Sequence, residues 1–77
     1  MAITARLSPP LIRAIFTEAL SLEFGIRLPV EAAYQDRART MISAAMAGSP
    51  DRERVMVCAF PADGELWFVK KTVEVIA

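Results

Sequence analysis

Two strand-forming runs, residues 54–60 and 65–75, flank the tetrapeptide Pro61-Ala62-Asp63-Gly64, and both carry large apolar side chains at consecutive positions. A strand sends alternate residues to opposite faces, so a hairpin with one buried face needs an apolar residue only at every second position. Here Val55, Val57 and Ala59 point one way while Met56, Cys58 and Phe60 point the other. Across the turn, Leu66 and Phe68 oppose Trp67 and Val69. Two short helices can cover one face of such a hairpin. The second face calls for another layer, and a second copy of the chain is its simplest source.

The size of the chain sharpens that expectation. At 77 residues it makes a single domain spanning 1–77, and a domain this small buries only roughly 60% of the surface its unfolded form exposes. Yet 55% of its residues are hydrophobic and only 23% charged. This excludes a disordered chain and is rich for a body with so much surface, a second pointer to self-association.

Upstream, Ser8-Pro9-Pro10 reads as a helix start, with Ser8 as cap and Pro9 where a missing N–H costs nothing. The helix is expected to run to Phe24. Leu11, Ile12, Ile15, Phe16, Ala19, Leu20 and Leu22 fall within about half of its circumference, with Leu11, Ile15, Phe16, Ala19 and Leu22 expected in the main core. Gly25 is the expected left-handed stop, and Arg27-Leu28-Pro29 a link. Pro29 opens a second helix to about Ala47, whose stripe is Val30, Ala33, Tyr34, Ala38, Met41, Ala44 and Ala45, with Ile42 and Met46 at its margin. Gly48-Ser49-Pro50 ends it, and Asp51-Arg52-Glu53 is a polar connector. Residues 2–7 alternate loosely, as a short edge strand or an arm would. The turn chemistry, Pro and Asp early and Gly64 late, is that of a type I turn followed by a left-handed residue. Two helices followed by a hairpin make an α+β domain with an antiparallel sheet, extended or covered by dimerisation.

The sequence offers no catalytic machinery. It has no histidine, and Gly25, Gly48 and Gly64 punctuate elements instead of forming a phosphate loop. Cys58 sits in an apolar strand and reads as a packing residue. No catalytic, metal-binding or cofactor-binding residue is expected, and so no enzyme. A single cysteine fits a reducing compartment. Arg6, Pro9, Pro10 and Arg13 interrupt any secretory signal, and no window is apolar enough to span a bilayer. A cytoplasmic protein without membrane attachment is expected.

Interaction surfaces are the remaining readings. Trp67 and Val69, on the face away from the helices, are the expected contact of a homodimer or a protein partner. Arg37 falls within the expected stripe of the second helix, between Val30 and Ala44, where a buried charge is costly. Its stem then covers core while the guanidinium reaches solvent, or it pairs with a carboxylate across an interface. Lys70 and Lys71 are the only lysines, adjacent in an apolar run, so a bulge is expected there, restoring Val73 and Val75 to the face of Leu66 and Phe68. Edge protection is their ordinary role. The alternative is a nucleic-acid contact formed by Arg52, Arg54, Lys70 and Lys71, with Phe60, Trp67 and Phe68 as stacking platforms. Nine basic against nine acidic residues, interspersed, disfavour it. The sequence thus reads as a small interaction or regulatory protein, acting as a homodimer.

Overall fold

A computed structural model describes residues 7–71. Helix α1 (Pro9–Ser21) leads into strand β1 (Ile26–Pro29), then helix α2 (Ala32–Ala45), a 3-10 turn (Pro50–Glu53), and strands β2 (Val55–Phe60) and β3 (Glu65–Lys70). The sheet is antiparallel in the order β1-β3-β2, so the fold is α+β, as the sequence implies. The expected strand over residues 2–7 and the continuation through Val73 and Val75 lie outside the described residues, save for Leu7, which is buried.

The hairpin forms as its sequence dictates. Phe60 faces Glu65 across the four-residue turn, the Asp63 N–H donates to the Phe60 carbonyl at 3.1 Å, and Gly64 takes the left-handed conformation, φ 64°. Register fixes the faces. Val57 lies opposite Phe68, which lies opposite Ile26, and Ala59, Leu66 and Leu28 form the next row. These rows point at the helices, and Leu66 and Phe68 lose all exposure. Over them lies α1, whose Phe16 ring meets Phe68 edge-on, centroids 5.9 Å apart. Helix α2 packs beside α1 and reaches β2.

Residues 27–29 are not a link. Together with Ile26 they form β1, an edge strand that makes β3 the centre of the sheet. The Val30 N–H donates to the Gly64 carbonyl at 2.8 Å, marking Val30 and Gly64 as a hydrogen-bonded pair. Bonded and unbonded pairs alternate along an antiparallel ladder, so Pro29, paired with Glu65, turns its backbone nitrogen to the open edge. That is where a strand tolerates a proline.

Helix α1 begins at Pro9 as expected, with the Leu11 N–H reaching the Ser8 hydroxyl at 3.4 Å. It ends at Ser21, not Phe24: Leu22 is already extended, and Phe24 is 84% exposed. Ile12, Ile15, Phe16 and Ala19 are buried, but Leu11 and Leu22, expected in the core, lie at its rim, each 39% exposed. In α2 the buried face is Gln35, Ala38 and Ile42, continued by Met46. It is rotated from the expected stripe: Ala33 and Ala44 are exposed, while Ile42 and Met46 move from margin to core. The connector after α2 is not a simple loop but the 3-10 turn, capped by the Ser49 hydroxyl.

Candidate interaction surface

The face of the sheet turned away from the helices is built by the odd positions of β3 and their cross-strand partners. Arg27, Trp67 and Cys58 lie in one row, with Met56 opposite Val69 and Phe60 opposite Glu65. Neighbours on one face of a sheet pack against each other. Trp67 and Phe60, diagonal across the ladder, bring their rings within 4.7 Å, and the Arg27 guanidinium sits 4.9 Å from the Trp67 ring centre. A cation over an indole face adds ~0.5–1 kcal/mol at a solvent-reached site.

Those contacts cover the face only in part. Trp67, Val69, Cys58 and Phe60 are half-buried, and Met56 is 48% exposed. Cys58 therefore belongs to this outer face and not to the core between sheet and helices. The Trp67 indole N–H is buried and has no hydrogen-bond partner among the described residues, and a donor left unmet costs on the order of 1–3 kcal/mol. Trp67 and Val69 thus stand together on one apolar surface, with Arg27 as a cationic rim that the sequence reading had placed in a link.

The basic residues divide into two places. Arg54, Lys70 and Lys71 line a groove with Leu20 and Glu53 at the end of the sheet. Among the described residues there is no bulge: the ladder stays regular to Val55 opposite Lys70, which puts Lys70 half-buried on the helix side. Arg54 is engaged at 3.4 Å by the Asp51 carboxylate, an exposed pair of the kind worth about 0–1 kcal/mol. Arg52 lies elsewhere, in a cleft of about 170 Å³ between α2 and β2 that it shares with Arg39, a residue the sequence reading did not single out.

Arg37 is exposed on α2, in the helical layer and not on the face of Trp67. The rotation of the α2 stripe takes it out of the core, so no buried charge needs a partner. Arg37→Ala is accordingly expected to shift stability by less than about 0.5 kcal/mol, the usual size for a surface site, in a urea titration.

Among the described residues no helix is long and apolar enough to cross a membrane. Compared with known proteins, the chain matches no family model, no curated protein and no solved structure.

Proposed function

We propose that this protein is a non-enzymatic interaction module that works as a homodimer, joined through the outer face of its sheet. The observation that carries the reading is the apolar surface of Met56, Cys58, Phe60, Trp67 and Val69, which the two helices leave uncovered because both lie on the other side. A two-fold contact sets this patch against its own copy and removes both from water in one step. The Trp67 indole N–H supports it, since a second layer brings acceptors to a donor without a partner among the described residues. A lone cysteine on this face suits a reducing, cytoplasmic setting. Regulation of, or binding to, a further macromolecule follows as the role of such a dimer.

Sedimentation equilibrium at micromolar concentration tests the reading directly, with a dimer of the 8.5 kDa chain as the expected species. Trp67→Glu should weaken the dimer at least about 30-fold, the size of a hot-spot loss of about 2 kcal/mol. Met56→Lys alters the same face at a half-exposed position and separates loss of contact from loss of fold. A monomer at all concentrations, or a dimer indifferent to both changes while circular dichroism stays native, rules the outer face out.

Nucleic-acid binding is the second reading, favoured by the convergence of Arg54, Lys70 and Lys71 in one groove. Against it stand Glu53 in that groove and the Asp51 carboxylate on Arg54. A mobility shift that collapses with added salt would reverse the ranking.

A further inference from the structure

The two edges of the sheet differ in a way that singles out β2. On the β1 side, the strand is four residues long and Pro29 turns a nitrogen without hydrogen to the outside, which blunts that edge against pairing. On the other side, the Lys71 N–H donates to the Arg54 carbonyl at 2.8 Å, so these two residues form a hydrogen-bonded pair. Alternation then commits the backbones of Met56, Cys58 and Phe60 to β3 and turns those of Val55, Val57 and Ala59 away from it; Val55 is covered, at 3% exposed, which leaves Val57 and Ala59 as the part-exposed stretch of this edge. Among the described residues no strand pairs with them, and none of the three is a proline or a charged residue. The stretch from Val57 to Ala59, left without such protection, is a template for another strand.

The cleft between α2 and β2 lies along this edge. Its floor is apolar: Phe16, Ile42, Met46, Val55 and Val57. Its rim carries Arg39 and Arg52, both exposed, with the Ser43 side chain on α2. Among the described residues no carboxylate lines it, and the only ion pair is that of Arg54 with Asp51. Two like charges held at one rim, with no carboxylate of the described residues between them, favour a ligand that brings one. At about 170 Å³ the space matches one ring-sized or branched apolar group, since a cavity near 150 Å³ holds a benzene molecule.

We propose that β2 receives an extended peptide as a fourth strand, with an apolar side chain in the α2–β2 cleft and a carboxylate side chain held between Arg39 and Arg52. The backbone groups of Val57 and Ala59 supply affinity without regard to sequence. The cleft and the arginines supply selectivity, for an apolar residue and an acidic one two positions apart, the spacing that returns to one face of a strand. The partner is thus an acidic, strand-forming segment of another protein. This names a partner for the interaction module above, at a surface separate from the outer face of Trp67.

The test uses the full chain against a displayed library of random peptides of about eight residues, the length of an ordinary strand. Expected is enrichment of sequences with Asp or Glu two positions from Leu, Met, Ile or Phe. Arg39→Glu with Arg52→Glu, both at exposed sites, should weaken the selected peptide at least about tenfold, as should N-methylation of alternate peptide amides. Amide shifts on binding should centre on Val57 and Ala59. No enrichment, enrichment without an acidic residue, indifference to the arginine reversals, or shifts centred on Trp67 would each overturn the proposal. Repeating the titration with Trp67→Glu separates the two surfaces: retained binding by a monomer leaves the peptide site standing while the dimer reading is judged on its own.

Discussion

Replacing Gly25 with alanine is expected to cost at least about 3 kcal/mol and to leave much of the chain unfolded at room temperature. Two penalties combine at this position. Gly25 has φ 73°, in the left-handed region that side chains avoid, which by itself costs roughly 1–2 kcal/mol for alanine. A Cβ there would also overlap the backbone carbonyl oxygen of Phe68 and sit 3.0 Å from the Val69 Cα. Neither neighbour is the movable end of a side chain. Both belong to the central strand, so relief requires shifting β3 or peeling β1 away from it. Gly48 provides the control. It has φ 79° but nothing within 4 Å of its virtual Cβ, so Gly48→Ala should incur the conformational cost alone. Urea unfolding followed by circular dichroism distinguishes the two cases. If the variants differ by less than about 1 kcal/mol, the close approach of Gly25 to β3 is not a constraint on the fold.

The same glycine shows why part of the architecture was hidden in the sequence. Gly25 reads as a helix stop, and the apolar run through Leu22 and Phe24 reads as helix up to it. The residue in fact serves the sheet: it lets the chain pass against Phe68 so that Ile26 pairs with that residue. Reaching that position takes α1 out of helical geometry at Leu22, and no local propensity records the demand. Strand β1 escaped notice for a related reason. Four residues ending in proline carry little periodicity, and what holds them is pairing with a strand nearly forty positions later in the chain. The hairpin, by contrast, was legible because its two strands and its turn residues are contiguous, so local chemistry and long-range pairing coincide. Its two-sided apolar pattern correctly set Trp67 and Val69 on a face apart from Leu66 and Phe68.

Helix α2 misled for a different reason. Anchoring its stripe on Val30 and Ala33 rotates the wheel, because Val30 is buried as the continuation of β1, ahead of the helix that begins at Ala32. From Ala32 onward the buried positions 35, 38, 42 and 46 follow a regular three-and-four spacing. A glutamine at the first of them concealed it. Arg37 was drawn into the core by this rotation, and Arg39 was overlooked beside the cleft by the same error. What the sequence does not encode locally is which basic residues meet. Arg52 and Arg54 are two positions apart, yet the 3-10 turn sends them to different grooves.

That concealed glutamine supports the second large effect. Gln35 is 2% exposed, and its Nε2 donates to the carbonyls of Val30 at 2.9 Å, Glu65 at 3.2 Å and Phe60 at 3.3 Å. Phe60 and Glu65 close the hairpin, while Val30 ends the extended segment before α2. One side-chain amide therefore fastens the start of the helix to both ends of the sheet's turn region. Three carbonyls share two N–H groups, so at least one bond is three-centred, and the buried amide oxygen has no partner among the described residues. Gln35→Met keeps the volume and removes that orphan along with the donors. Its expected cost is about 1–3 kcal/mol, from three carbonyls each losing one donor, although Phe60 keeps the Asp63 N–H. Gln35→Glu is expected to be worse, about 3–5 kcal/mol at neutral pH, because it places an uncompensated carboxylate among three carbonyl oxygens. The sign with pH follows from linkage. Burial and those oxygens raise the new carboxyl's folded pKa above its unfolded value, so the penalty is full above the folded value and relieved as pH falls below it. The stability gap between Gln35→Glu and the parent should therefore narrow on acidification, whereas the gap for Gln35→Met should not. A pH-independent gap for the glutamate variant would mean that its carboxylate has escaped to water, and that the helix-to-turn clasp is looser than the distances imply.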